Sequence, residues 1–496
     1  MSSSRASSGE RALISALALI TLAACTTRGT KASTPTEVTV FFSAEVRGYL
    51  GPCGCSENMR GSISRAAFQV AQARASGRAV HLVDCGDGLF GEANIPEPAV
   101  PQQERKAKAL SESWKAMGLD ARVPGPLDDA RGADFHASLQ LPELSKGSVK
   151  VLDGVAVLHA SSVKEALTLV PRAKELGGRF VVAVIPLPFG ELLREALDAK
   201  GIHLLLSSRS KDAFAAEESR LVGGATRVAQ IQSKGRSLLK VDVSFHGDGE
   251  VEWMAGDAER DRELATLDQR IELLRAQVNE PMLGDDLKAL RKAKLEEIIS
   301  RREALAAAPV TTPTDRSVAT ARLVPLESTF PKDEKVQAIE KAYDVDVGLL
   351  NLAYAKEKGV SCVAATQEKP GIVGSKVCVS CHAEAERVWL TTKHPLAYKA
   401  LEAQGKQLHL DCVGCHVTGW QQPDGVCRID QLEGRTEVGC ESCHGPGSNH
   451  AKAPAKTNIA RGVDPKTCVG CHDRENSPQF DYDTYVEKVL GPGHDR

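Results

Sequence analysis

The chain has 496 residues, with 62 lysines and arginines against 65 aspartates and glutamates, a formal charge of −3. That balance excludes the basic surface a nucleic-acid binder needs. Apolar residues at 42% and charged residues at 26% exclude a disordered chain. Aromatic residues make up 4% of the chain and cysteines number 14, so part of the core is expected to be filled by something other than Phe, Tyr and Trp.

Arg5 and Arg11 precede an apolar stretch from Ala12 to Ala24. It is about 13 residues long, too short to span a bilayer comfortably and of the length of a signal-peptide core. It ends in Leu22-Ala23-Ala24-Cys25. Small residues before a cysteine resemble a bacterial lipoprotein signal, which implies cleavage before Cys25 and lipidation of that residue. An ordinary signal peptide that contains a cysteine is the alternative. Residues 1–25 are therefore expected to be a targeting segment and 26–36 a tether. No other run approaches 18 apolar residues, so no other membrane span is expected. The mature chain is expected outside the cytoplasm, where disulfides persist.

Residues 37–256 alternate apolar runs with amphipathic stretches. The runs predict strands over Val38–Val46, Ala79–Asp84, Val155–Ala160, Phe180–Ile185, His203–Ser207, Arg227–Gln232 and Leu238–Phe245. Helices are predicted over Ser62–Ser76, Gln103–Met117, Val163–Leu176 and Glu191–Lys200. Continuous apolar runs suit strands covered on both faces, which predicts an α/β layered domain.

The order of these segments resembles the 5′-nucleotidase and calcineurin-like metallophosphoesterases. That family holds two metals at strand ends. Its Asp-x-His-Gly motif falls on Glu45-Val46-Arg47-Gly48, and its Gly-Asp motif survives as Gly86-Asp87. Its Gly-Asn-His motif falls on Gly125-Pro126-Leu127, a later His near Leu187-Pro188, and Gly-His-x-His near Ser208-Arg209-Ser210-Lys211. Almost every ligand is replaced, and Arg47, Arg209 and Lys211 bring positive charge. A two-metal hydrolase needs both ions, so the resemblance implies a degenerate domain without phosphoesterase activity. What remains is a scaffold, or a cleft that accepts an anion.

Leu264, Leu267, Ile271, Leu274 and Val278 recur at heptad spacing. Pro281 and Gly284 end that helix, and a second runs from Asp286 to Ala307. Residues 257–308 are expected to be a helical hairpin. Pairing within the chain, dimerisation, and a partner-binding arm remain open. Residues 309–370 read as a linker containing a strand over Ser317–Leu326 and a helix over Lys332–Lys358.

Residues 371–496 carry four CxxCH sequences: Cys378–Cys381–His382, Cys412–Cys415–His416, Cys440–Cys443–His444 and Cys468–Cys471–His472. Two thiols three positions apart can reach the two vinyl groups of one haem, and the following His then lies under the iron. Paired zinc knuckles would not need a His after every second Cys. Four covalent haem c groups are the expected cofactors, with His382, His416, His444 and His472 proximal. Four further histidines, His394, His409, His450 and His494, are candidate distal ligands. Whether one iron is open stays undecided in the sequence; a missing distal ligand would fall at the haem that would use His494, which lies two residues from the chain end.

About 30 residues per haem cannot build a conventional core around each, so the macrocycles themselves must form it. This stretch resembles the tetrahaem cytochrome c-554 family through the four motifs, the Trp389…Lys393-His394-Pro-Leu-Ala segment and Cys440-Glu-Ser-Cys443-His444-Gly-Pro-Gly-Ser-Asn-His450. The resemblance implies a mainly α multihaem domain that shuttles electrons between redox proteins, with one haem five-coordinate in some members.

Five cysteines remain: Cys53, Cys55, Cys85, Cys362 and Cys427. In the resembled fold Cys85 lies at the same sheet edge as Cys53 and Cys55, which predicts a disulfide to one of them; a thiol redox or metal site is the alternative. Cys362 with Cys427 would tie the linker to the haem domain. The whole reads as an extracytoplasmic, lipid-anchored electron carrier with redox donor and acceptor proteins as partners. Its alternatives are a redox enzyme acting at an open haem on a small nitrogen or sulfur compound, and a redox sensor or scaffold.

Overall fold

Strands that are apolar at successive positions must be covered on both sides, and the computed structural model shows what covers them. It describes residues 36–52, 59–210, 217–254, 257–278, 284–307, 313, 315–462, 464–473, 476–477 and 480–494. The expected targeting segment with Cys25, residues 26–35 of the tether, Cys53, Cys55 and Lys211 lie outside the described residues.

Among the described residues twelve strands form two six-stranded sheets. They are β1 (Thr36–Ser43), β2 (Ala79–Cys85), β3 (Ala121–Val123), β4 (Val149–Leu152), β5 (Val155–His159), β6 (Phe180–Ile185), β7 (Leu204–Ser207), β8 (Glu218–Val222), β9 (Thr226–Gln230), β10 (Ser237–Phe245), β11 (Val251–Trp253) and β12 (Ser317–Pro325). One sheet runs β11-β12-β10-β1-β2-β3 and the other β4-β5-β6-β7-β9-β8. Helices α1 (Ile63–Arg74), α2 (Val100–Ala116), α3 (Ala133–Ser138), α4 (Val163–Glu175) and α5 (Phe189–Glu195) alternate with them.

The period of two along each strand divides the core. Val38, Val40 and Phe42 of β1 meet Val155, Val157, Val182 and Val184 between the sheets. Phe41 and Leu82 point the other way, onto α1 and α2. Ala156, Leu158 and Ile185 pack under α4 and α5. The result is four layers, helix–sheet–sheet–helix. Each fully buried Val, Leu or Phe contributes about 1.5–3 kcal/mol.

The same alternation places Cys85 beside Val83 in the inter-sheet core, fully buried. Its thiol is free, and Cys53 and Cys55, the partners expected for it, lie outside the described residues.

Helices α6 (Asp257–Val278) and α7 (Asp285–Ala307) form the expected hairpin within the chain, with Leu267, Ile271, Val278, Leu295 and Ile298 in its seam. Leu287 and Leu290 lie outside that seam and are exposed. Arg302 of α7 pairs with Asp268 of α6 across the hairpin at 2.9 Å and joins the hairpin to the sheet through the Leu323 carbonyl of β12 at 3.2 Å.

Residues 309–370 contain the expected strand and helix, but they are not a detached linker. Strand β12 sits between β10 and β11 with Val241 opposite Ala321. Helix α8 (Glu334–Glu357) buries Val336, Tyr343 and Val347 in the layer formed by α1 and α2. The α/β domain thus extends through α8, because the hairpin interrupts a sheet that β12 then completes.

The remaining helices are short: α9 (Ser375–Val379), α10 (Ala383–Leu390), α11 (Ala397–Glu402), α12 (Leu410–Val413), α13 (Cys440–His444), α14 (Ser448–Lys452), α15 (Pro465–Val469) and α16 (Tyr482–Val489). Their apolar cluster among the described residues is small, centred on Tyr398, Leu401, Val413, Val417, Val426 and Ile429. A Cys362–Cys427 disulfide closes the segment that leads in, as the sequence predicts. Glu441, inside the third motif, accepts from the backbone N–H groups of Val373 (2.9 Å), Gly374 (2.7 Å) and Gly447 (2.7 Å). That buried carboxylate holds the entry strand of the region against α13.

Candidate functional site

Each CxxCH sequence folds as a single helical turn. The His382 N–H reaches the Cys378 carbonyl at 3.1 Å, and the His472 N–H reaches that of Cys468 at 2.8 Å. Positions three and four apart share one helix face, so two thiols and one imidazole leave each turn together. All eight motif cysteines and all eight histidines of the region line one cavity of 2870 Å³. Pockets for a single small ligand hold about 300–1,000 Å³; this one is large enough for several.

The imidazoles are oriented for metal binding. Nδ1 of His416 lies 2.6 Å from the Ala397 carbonyl, and Nδ1 of His444 lies 2.8 Å from that of Ala460. His450 makes the same contact with Ala455 at 3.1 Å. A carbonyl only accepts, so each Nδ1 must carry the proton. That leaves a bare lone pair on Nε2, the form in which imidazole binds a metal. Burial lowers the pKa of His394, His472 and His494, which favours the same neutral state.

Three pairs of rings face each other. His382 and His450 are 6.3 Å apart between centres, His394 and His472 6.2 Å, and His444 and His494 6.3 Å. A metal–imidazole bond of about 2 Å, plus about 1 Å from nitrogen to ring centre, puts two axial imidazoles about 6 Å apart across one ion. Each pair joins a motif histidine to one of the other four. The donor set, its tautomers, its spacing and the cavity therefore fit bis-histidine haem.

The fourth histidines are not paired. His409 is buried, meets Tyr343 edge-on at 5.5 Å, and places Nε2 3.2 Å from Asp344 Oδ1. It is held by α8 and is not brought opposite a motif histidine. Among the described residues no imidazole faces His416. The motif without a facing imidazole is thus the second, and His494, the histidine whose place was least certain in the sequence, faces His444. Gly491 and Gly493, which lead into His494, pack on α10, where a Cβ at Gly493 would stand 2.7 Å from the Ala385 nitrogen.

Thiols of different motifs come close. Cys378 lies within hydrogen-bonding reach of Cys440, and Cys415 of Cys471, while Cys443 and Cys468 interact electrostatically. The motifs are therefore neighbours in the order first, third, fourth, second. The Trp389 indole donates to the Val438 carbonyl at 2.9 Å and ties the His394 segment to the third motif.

The α/β domain adds residues that sequence reasoning missed. Lys106 of α2 pairs with Asp411 at 2.7 Å, next to Cys412. Asp344 of α8 receives Lys406 at 2.7 Å. Asn351 donates to Gln102 at 2.9 Å and to the Leu408 carbonyl at 3.0 Å. The one signal in the sequence is polar residues on the buried face of α8, which needs the tertiary fold to be read.

At the strand ends, the degenerate metal positions do meet. Glu45 accepts from Arg47 at 2.6 Å and from the Ser210 N–H at 2.9 Å. Asp87 accepts from the Leu127 N–H at 2.8 Å, and burial pushes its carboxyl up to about 6. The carboxylates are thus engaged by neighbouring donors. Arg47, Gly48 and Tyr49 line the same cavity as the motif residues, as does Lys106.

The family described as cytochrome c554 and c-prime matches residues 377–445. Cytochrome c-554 of Nitrosomonas europaea is 32% identical over 139 residues, covering 21% of this chain and 59% of that protein. The chain thus spans 59% of the length of that curated relative. These matches imply covalently bound haem c. Among solved structures, a sulfate thiohydrolase of Thermus thermophilus aligns with TM-score 0.40 and 12% identity over 62% of this chain and 60% of its own. A 5′-nucleotidase precursor from Thermus thermophilus gives 0.40 and 12% over 69% and 63%. A calcineurin-like phosphoesterase from Bacillus subtilis gives 0.39 and 13% over 65% and 99%.

Proposed function

We propose that this chain is an extracytoplasmic electron-transfer protein carrying four covalently attached haem c groups. The observation that carries this reading is the set of three imidazole pairs, at 6.2–6.3 Å, inside one cavity lined by all eight motif cysteines. Haem supplies reversible one-electron chemistry. The chain supplies thioether-forming thiols, neutral imidazoles with fixed Nε2 lone pairs, and a common chamber that keeps the four sites adjacent. Electrons would then pass along the order first, third, fourth, second. Donor and acceptor are redox proteins outside the cytoplasm, and lipidation of Cys25 would hold the chain at a membrane. Among the described residues no helix is long and apolar enough to cross one.

The test is haem stoichiometry of the purified full chain by pyridine haemochrome and intact mass. Four haems per chain are expected, falling by one when either Cys440 or Cys468 is changed to Ala. A stoichiometry of zero, or metal content that is zinc, would overturn the reading.

His416 favours a second reading. An iron there without a second imidazole would be open to a small nitrogen or sulfur compound, so that the same chain could act as a redox enzyme. Carbon monoxide binding by about one haem in four separates this from a closed carrier.

A further inference from the structure

Helix α8 belongs to the α/β domain but does not end its work there. Its buried face carries Val336, Tyr343 and Val347 into the layer shared with α1 and α2. The same face reaches the segment that leads into the second motif, where a Cβ on Gly348 would collide with Leu408. Tyr343 stands where these two contacts meet. It is 4% exposed and lines the haem chamber. Its ring meets His409 edge-on, and Lys106, Asp411 and Cys412 are close enough to act on its hydroxyl electrostatically.

That hydroxyl has no hydrogen-bond partner among the described residues. Buried polar groups are rarely left unpaired, because the group has lost water without gaining a replacement. Burial also keeps it protonated, with a pKa above the ordinary tyrosine value. It is a donor without an acceptor. The neighbouring polar groups are already committed: Lys106 to Asp411, and Asp344 to Lys406.

We propose that Tyr343 donates a hydrogen bond to an acceptor oxygen in the haem chamber beside the second motif, making the α/β domain a working wall of that site. The inference rests on the haem reading above. Two oxygens share this chemistry: one on a ligand bound to the open iron at His416, and one on a haem propionate. Tyr343 is a positioning residue in either case, supplied by a domain that carries no haem motif of its own.

The experiment compares the full, haem-loaded chain with Tyr343→Phe, which keeps the ring and its packing. Tyr354→Phe, on the same helix and away from the chamber lining, is the control. The first readout is the C–O stretching frequency of the ferrous carbon monoxide adduct. The second is the midpoint potential of each haem in an optical redox titration. If the acceptor is on the iron ligand, Tyr343→Phe raises the C–O frequency, because a donor to the bound oxygen is lost. If the acceptor is a propionate, the frequency stays and one midpoint potential falls, because the propionate becomes effectively more negative. Either shift, absent in Tyr354→Phe, supports the proposal. A loaded chain in which neither readout moves overturns it alone. A chain that carries no haem overturns the functional reading and this inference together, so the two failures are distinguishable.

Discussion

The imidazoles of His444 and His494 face each other almost parallel, 18° apart in plane and 6.3 Å between centres. The second of them stands two residues from the end of the chain, where backbone usually frays. Here His494 is tied down, with its N–H on the Gly491 carbonyl at 2.9 Å and Gly493 at φ +90° against α10. His494→Ala is therefore expected to open a second iron. Carbon monoxide should bind about one haem in four in the parent and about two in four in the variant, read at the Soret band. An unchanged ratio would mean that His494 is not a ligand.

The strand-end cleft should not hydrolyse phosphate esters. A two-metal site needs both ions to activate water and to hold the leaving oxygen, and Glu45 is already engaged by Arg47 and Ser210. Asp87 accepts from Leu127, and Gly125 packs so close to Asp87 that a Cβ there would collide with it. The expected outcome with a generic phosphate ester, with manganese or zinc added, is no turnover above buffer. Turnover that disappears in Asp87→Ala would contradict this.

Arg122 on β3 is fully buried and meets three carboxylates: Asp84 at 3.3 Å, Asp128 at 2.6 Å and Glu143 at 2.7 Å. Burial pushes the Asp84 carboxyl up to about 7 even with that guanidinium beside it. Asp128 in turn accepts from the N–H groups of Leu89 and Gly125, so the ion cluster also fixes the loops after β2 and β3. Removing one member of a buried ion pair leaves the other uncompensated, at about 3–5 kcal/mol. Arg122→Met should lose stability of that order in thermal unfolding of the full chain. Adding Asp84→Asn should recover part of the loss, since one orphaned charge is then gone. A double variant no better than the single one would show that the carboxylate is not the source of the cost.

The reach of the sequence differs between the two halves for a physical reason. Apolar runs made β6 legible to the residue, because a strand covered on both faces writes its limits into composition. Strands β3, β4, β8 and β11 have three to five residues each and leave no such run. The motif cysteines and their histidines were legible because covalent haem attachment demands a fixed local spacing. The distal partners were not, because His450, His394 and His494 meet their mates through tertiary packing alone. His409 looked equivalent to them in sequence; what removes it is Tyr343 and Asp344, more than sixty residues upstream. The place of β12 was hidden in the same way, since a hairpin of two helices separates it from the sheet it completes.

His203 gives the α/β domain a pH dependence that can be read in advance. Its ring stacks on Phe180 with centres 4.8 Å apart, and its Nδ1 accepts from the Val181 N–H at 3.0 Å. Both contacts suit the neutral ring, and burial lowers its pKa from 6.5 to about 4. Between those values the unfolded chain binds a proton that the folded chain refuses. Stability from this residue is therefore complete above pH 6.5 and is lost as pH falls toward 4, by up to about 3 kcal/mol at 1.36 kcal/mol per pKa unit. Other groups titrate in the same window, so the useful quantity is the difference between the parent and His203→Gln, which keeps an acceptor for Val181 without a proton to gain. Followed by far-ultraviolet circular dichroism, the parent's melting temperature should fall relative to the variant's as pH drops from 7 to 4. A difference that stays constant across that range would show that His203 is free to protonate in the folded chain.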